Sequence, residues 1–407
     1  MKILIKQVLL QDKIVDILIK DNLISEISAS INDSEAEVFD AKDLVVVPPF
    51  YNMHTHSSMS LLRGYCEDLP LFDWLNNIWK KEAELSSEDI YNGTRLAILE
   101  MIKSGTVFFA DMYWHHASII KAAEEMGIRA NIGICFMNNL GEKTIEENFE
   151  FAKQFSKTNN GIIDISIAPH AIYTCDSQLY KKCYEFAKEN DLYFHTHLSE
   201  TQKEVEDSIK QYGMRPVEYL NKIGVLDEKT LLAHCVHLSE QEAEIISKTK
   251  SIIVHNPCSN MKLASGIFDS RQARKYNCKI TLGTDGCSSN NNLSMIEEMK
   301  IASLLAKVNY LDSEEGNSNQ VFLWATKNAA EAMGINAGEI KEGKEADMLF
   351  IKLNDEKMQP NYNLISNLIY SADTKCIDSL MCNGKFLMKQ GKVEGEEEII
   401  EIAKRYK

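Results

Sequence analysis

Positive charge is scarce in this chain. Its 407 residues carry 44 Lys and Arg against 60 Asp and Glu, a formal net charge of -16. Such a surface repels phosphates, which argues against nucleic-acid and anionic-membrane partners. Long apolar runs are also missing: no stretch approaches the ~20 residues of a membrane helix. The first residues, Met1-Lys2-Ile3-Leu4-Ile5-Lys6, do not make a signal peptide, because their apolar stretch is short and interrupted. Ten cysteines are scattered without a single C-x-x-C. The expected setting is therefore a reducing, cytoplasmic one with free thiols. No P-loop, G-x-G-x-x-G or G-x-S-x-G occurs. The H-x-E with P-C-x-x-C pattern of zinc cytidine deaminases is absent too, since Cys258 follows Pro257 but no cysteine comes three later.

What is present is an ordered series of His and Asp residues at the ends of short apolar segments. His54-Thr55-His56 follows Leu44-Val45-Val46-Val47-Pro48. His195-Thr196-His197-Leu198-Ser199-Glu200, Ala233-His234-Cys235, His255-Asn256-Pro257 and Gly283-Thr284-Asp285-Gly286 come after it. In a strand, residues two apart point to one side, so an H-x-H can present two imidazoles to one ion. An isolated H-x-H is weak evidence; its place in such a series is what gives it weight.

The chain divides by texture. Residues 1–49 read as short strands, with a hairpin turn at Asp21-Asn22. From 50 to 339, amphipathic stretches such as Ile90 to Ser104 and Gln178 to Glu189 alternate with apolar runs. Counting Val45 to Pro48 as the first, eight strand candidates appear in roughly 250 residues, the size of a (β/α)₈ TIM barrel. From 340 to 407 strands return, with Asn383-Gly384 as a hairpin turn. The expected architecture is a TIM barrel over 50–339. Beside it, both chain ends, 1–49 and 340–407, make one small β-sandwich domain. The acidic run Glu394 to Glu398 reads as the start of a solvated helix.

Function in such barrels collects at the C-terminal ends of the strands, where the His and Asp series falls. Neutral imidazoles with one carboxylate suit one divalent ion, Zn²⁺ or Fe²⁺. The expected ligands are His54, His56, His197 and Asp285. An ion there would lower the pKa of a bound water toward about 7. Asp285 could also accept that water's proton, or simply cap the turn Thr284-Asp285-Gly286. Glu200 reads as a general acid for a heterocyclic ring nitrogen, or as a first-turn helix residue behind a capping Ser199. His234 is placed to steer the attacking water and stabilise a developing oxyanion. His115, His116 and His237 are taken as structural or surface residues, and His195 as facing away from the metal.

These residues resemble the amidohydrolase superfamily, and within it the 5′-methylthioadenosine/S-adenosylhomocysteine deaminase and chlorohydrolase group. The stretches that carry the resemblance include Asn52 to His56, Leu61 to Gly64, Asp68 to Leu71, Ser104 to Thr106 and Ala110 to Tyr113. His197 to Thr201, Ala233 to Leu238, His255 to Asn260, Lys262 to Gly266 and Gly283 to Gly286 complete them. The resemblance implies one metal at His54, His56, His197 and Asp285, with Glu200 and His234 in acid/base and water-orienting roles. It also implies that Glu82 binds ribose hydroxyls, although a plain surface carboxylate on a helix reads almost as well. His170 would contact substrate.

The implied protein is a hydrolase acting on the C–N bonds of cyclic amidines. It would deaminate an aminopurine nucleoside and release ammonia, as a homo-oligomer with a small-molecule substrate. Pro49, Met53 and Ile172 depart from the pattern in the scaffold. Ile134 stands about where adenosylhomocysteine-active relatives carry an arginine for the substrate carboxylate. Deamination of guanine, a pterin or cytosine, dechlorination of a triazine, and a non-catalytic barrel scaffold are the other readings. Retention of Glu200 favours deamination over dechlorination.

Overall fold

The computed structural model describes residues 2–156 and 161–406. Two sheets organise it. The first strands are β1 (Lys2–Leu10), β2 (Lys13–Lys20), β3 (Leu23–Ser28), β4 (Glu37–Asp40) and β5 (Leu44–Val47). Eight more follow: β6 (Phe50–Thr55), β7 (Thr106–Tyr113), β8 (Arg129–Phe136), β9 (Ile163–Pro169), β10 (Tyr193–Leu198), β11 (Thr230–His234), β12 (Ile252–His255) and β13 (Lys279–Leu282). The last are β14 (Met348–Lys352), β15 (Ile377–Cys382) and β16 (Lys385–Met388).

Strands β6 to β13 pair in chain order, all parallel, and form the TIM barrel. They are short, apolar and buried, as parallel strands covered by helices must be. The gap between the first and last is bridged where the site lies. Asp285 donates its backbone N–H to the His54 carbonyl at 2.9 Å, and Asn52 Nδ2 donates to Thr284 Oγ1 at 2.7 Å.

The strands of the two chain ends make one mixed sheet in the order β16-β15-β14-β5-β1-β2-β3, with β4 on β1. Ile5, Ile17, Ile19, Val46, Met348 and Phe350 pack in its core. Its hairpins fall where the turn residues put them, at Asp21-Asn22 and Asn383-Gly384. Gly384 adopts φ +75°, and a Cβ there would lie 2.5 Å from the Asp21 carbonyl oxygen, so close approach of the two hairpins requires glycine.

One assignment is corrected. Val45–Pro48 is not the first barrel strand. Val45–Val47 belong to β5, antiparallel to β14 with Val46 opposite Phe350. The first barrel strand is β6. Pro48 and Pro49 have no N–H to give a ladder, so the chain leaves one sheet there and enters the other. Helices begin where capping chemistry places them: Ser86 and Asp89 form a capping box ahead of Ser87–Lys103. The acidic run near the end opens the helix Glu396–Ala403.

Candidate active site

Strand ends deliver the expected metal ligands, Glu200, His234 and His170 to one mouth of the barrel, and a helix end delivers Glu82. His54 lies in β6 and His56 one residue past it; His197 lies in β10, His234 ends β11, and Asp285 follows β13. Asp285 Oδ1 lies 3.2 Å from His56 Nε2 and 3.5 Å from His54 Nε2, and His56 Nε2 lies 3.4 Å from His197 Nε2. Two ligands on one ion at 2.0–2.2 Å in tetrahedral geometry stand about 3.3–3.6 Å apart, so this spacing is that of a shared ion. His54 Nε2 is buried and has no hydrogen-bond partner among the described residues. That orphaned atom, in a cluster of three imidazoles and one carboxylate, fits a metal. The set His54, His197 and His234 is also close enough to hold one.

The far sides of the rings are fixed. His56 Nδ1 donates to the Met112 carbonyl at 2.6 Å, and His197 Nδ1 to the His170 carbonyl at 2.8 Å. Both contacts put the hydrogen on Nδ1 and leave the Nε2 lone pair facing the cluster. His234 Nδ1 is held the same way by Asn260 Oδ1 at 2.8 Å. Asp285 Oδ2 accepts from Ser259 Oγ at 2.6 Å and Ser289 Oγ at 3.0 Å, while Oδ1 accepts from the Gly286 N–H at 2.8 Å. Burial alone would raise its carboxyl, but His54 and His56 outweigh burial and hold it well below the usual range.

His195 does not face away. It sits two residues before His197, on the same side of β10, buried inside the barrel. Its Nε2 lies 3.0 Å from His54 Nδ1. The alternation that separates neighbouring residues unites those two apart, and that spacing was the signal for His195.

Glu200 is buried just past β10. Burial raises its carboxyl, with His234 pulling the other way, and Ser265 Oγ donates to its Oε1 at 3.0 Å. His234 Nε2 lies 3.8 Å from Glu200 Oε2. The turn that aims Glu200 is unusual. Ser199 has φ +52°, and the N–H groups of Ser199 and Glu200 both donate to the buried Glu204 carboxylate at 2.8 Å. The helix cap is Thr201, not Ser199. Nothing in the local sequence singles out Glu204, because it acts on backbone groups.

A pocket lined by His56, His197, Glu200, His234 and Asp285 opens over the cluster. His170 and Glu82 both line it with Trp79, Tyr113 and Tyr173. Glu82 ends the helix Leu71–Glu82 and is buried rather than exposed. Burial raises its carboxyl to about 7, against the Tyr113 hydroxyl, and its Oε1 has no hydrogen-bond partner among the described residues. His170 ends up in reach of His197, at 4.7 Å between ring centres, and burial pushes its imidazole down to about 3. Ile134 is packed in the apolar core, and its neighbour Cys135 is the β8 residue that reaches the cavity. His255 is buried against Phe268 and is not among the cavity's lining residues. His116 is buried, with its imidazole pushed down to about 4 by burial, and His115 is exposed.

Residues 45–387 match the model of the amidohydrolase family. The chain belongs to that family. It is 40% identical over 417 residues to a 5′-deoxyadenosine deaminase of Methanococcus aeolicus, covering 99% of this chain and 97% of that protein. A 5-methylthioadenosine/S-adenosylhomocysteine deaminase of Pyrococcus furiosus is 40% identical over 393 residues, 95% of this chain and 94% of that one. Among solved structures, an adenosine deaminase from Xanthomonas campestris with bound zinc superposes with a TM-score of 0.93 at 27% identity, covering 99% of this chain and 97% of that one.

Proposed function

We propose that this amidohydrolase removes the amino group of an adenine nucleoside by hydrolysis, releasing ammonia and the inosine analogue. The observation that carries the reading is the Glu200–His234 pair, 3.8 Å apart, beside the His54, His56, His197 and Asp285 cluster. The two relatives, matched over nearly the whole chain, are named as deaminases of such nucleosides. Residues 50–339 form the catalytic part, and 1–49 with 340–407 the smaller one.

His54, His56, His197 and Asp285 would hold one divalent ion, with Zn²⁺ favoured by the zinc in the Xanthomonas structure and Fe²⁺ suited to the same donors. When bound, the ion supplies a water made acidic enough to attack at neutral pH. The residues then have separate tasks. His234, its Nδ1 fixed by Asn260, presents Nε2 to the oxygen entering at C6. Asp285, anchored through Oδ2 by two serines, takes a proton from the nucleophile. Glu200, whose carboxyl burial favours in the protonated form, gives a proton to ring N1. The balance closes. The oxygen of one water stays on C6; Asp285 passes one of its protons to the departing amine, which leaves as ammonia, and the other restores the proton that Glu200 gave to N1. Glu82, with an unpartnered buried oxygen, accepts from the ribose hydroxyls, and His170 contacts the substrate over the cluster.

All ten cysteines are unpaired thiols, which supports a reducing, cytoplasmic setting. No helix among the described residues is long and apolar enough to cross a membrane. The test is ammonia release by the metal-loaded protein from adenosine, 5′-deoxyadenosine, methylthioadenosine, guanine, cytosine and a pterin. Turnover of the adenine nucleosides is expected. Turnover of a free base alone would overturn the reading.

A further inference from the structure

Behind Glu200 stands a second buried carboxyl group that neither holds the metal nor moves a proton. Glu204 is 3% exposed. It is the third residue of the helix Gln202–Tyr212, whose cap Thr201 accepts from the Glu204 N–H at 3.2 Å. A glutamate in that place ordinarily turns back to the N–H of the capping residue itself. Glu204 reaches further. Its Oε1 accepts from the Ser199 N–H and its Oε2 from the Glu200 N–H, each at 2.8 Å.

The peptide units it grips need holding. Ser199 has φ +52°, a conformation that a residue with a Cβ keeps only where its surroundings impose it. The Ser199 hydroxyl has no hydrogen-bond partner among the described residues, so this side chain does not fix its own turn. On the carbonyl side, Ser199 accepts from the His237 N–H at 2.9 Å. Glu204 supplies the N–H side. The path from β10 through Ser199 is thus pinned twice, and Glu200 leaves it with Oε1 on Ser265 Oγ and Oε2 3.8 Å from His234 Nε2.

We propose that Glu204 is a positioning residue for the proton donor: its two oxygens set the backbone from which Glu200 reaches ring N1. The role rests on the adenine-nucleoside reading, and it needs two acceptor oxygens rather than any polar side chain. Glu204→Gln keeps the shape but has one acceptor oxygen, and its amide NH2 would face one of the two N–H groups donor to donor.

The experiment is steady-state ammonia release from adenosine and 5′-deoxyadenosine by the metal-loaded full chain, with metal per chain measured on the same preparation. Glu204→Gln should lower kcat by about 10–100-fold, the scale of a small misplacement of a reacting group, with KM and bound metal close to those of the parent. A cycle with Glu200→Gln separates aiming from general loosening. In that background Glu204→Gln should change kcat by less than about threefold, because the group it aims is gone. Ser199→Gly should return part of the activity to Glu204→Gln, because glycine takes a positive φ without strain. Unchanged kcat in Glu204→Gln, or metal lost in step with activity, would overturn the proposal. So would a full second loss on top of Glu200→Gln, no recovery with Ser199→Gly, or a chain that folds neither as Glu204→Gln nor with Ser199→Gly added. In each of these cases the deaminase reading stands. A parent that releases ammonia from neither nucleoside would overturn that reading, and the role of Glu204 with it.

Discussion

At the scale of single residues, the proposed mechanism separates metal holding from proton transfer, and two variants tell them apart. Glu200→Gln keeps the size and the contact with Ser265 but has no proton to give. Turnover should fall by about 10²–10⁴, the usual share of general acid catalysis, while bound metal per chain stays as in the parent. Activity and metal content measured on one preparation decide it; undiminished turnover would remove Glu200 from the mechanism. His195 acts on the other side. Its Nε2, 3.0 Å from His54 Nδ1, accepts the hydrogen that leaves His54 Nε2 free. His195→Leu should weaken metal affinity by about 10–100-fold, as loss of a partner behind a ligand does. His195→Gln, which restores an acceptor, should recover part of it. Competition with a chelator of known affinity measures both. The grouping of these side chains was largely legible in the sequence, since a metal site needs particular residue types at particular spacings. His54, His56, His197, Asp285, Glu200 and His234 are each where that logic puts them. Glu204 and Asn260 were not legible, because their partners are a backbone and a ring brought close only by folding.

At the scale of elements, local signals set the strands and helices, but which sheet a strand joins is a long-range fact. Leu44–Val47 is as apolar as any barrel strand, yet it pairs with β14, some three hundred residues on. Only the proline pair after it marks the change. Other elements carry a burial cost that shows up as pH dependence. Glu298, on the helix Met295–Tyr310, is buried, accepts from Asn290 Nδ2 at 2.6 Å and from the Cys258 N–H at 3.2 Å, and has its carboxyl raised to about 8 by burial. The unfolded chain releases that proton near the ordinary value of 4.5. Between these values the folded state binds more protons, so stability from this group is full below about 4.5 and declines as pH rises through about 8. Glu82 and Glu204, each raised to about 7, act in the same direction. Glu298→Gln cannot ionise, so its stability should decline less between pH 5.5 and 8.5 than that of the parent. Urea midpoints at the two pH values give the comparison. Equal declines would mean that Glu298 does not titrate in this window.

At the scale of the whole molecule, the two sheets are tied by one buried polar knot. Arg129 of β8 reaches across to Glu345 and to Asp347, with its Nε 3.4 Å from Asp347 Oδ2. The same carboxylate accepts from the Tyr51 hydroxyl at 2.8 Å and from the Asn383 N–H at 2.6 Å. Asp347 thus gathers β6, β8 and the β15–β16 turn around one buried charge. Arg129→Met would leave that charge without its cation, which costs about 3–5 kcal/mol in buried pairs broken on one side. Adding Asp347→Asn removes the stranded charge and keeps an acceptor, so the double variant should be more stable than Arg129→Met alone. Denaturant unfolding of both variants tests this, and a single variant as stable as the parent would show the knot to be idle. The opposite end of β8 carries Cys135 to the cavity, well away from Arg129 at its start. Activity of Arg129→Met, assayed far below its unfolding temperature, should therefore stay close to that of the parent. A loss of turnover without a loss of stability would mean instead that the end sheet sets the geometry of the barrel mouth through β8.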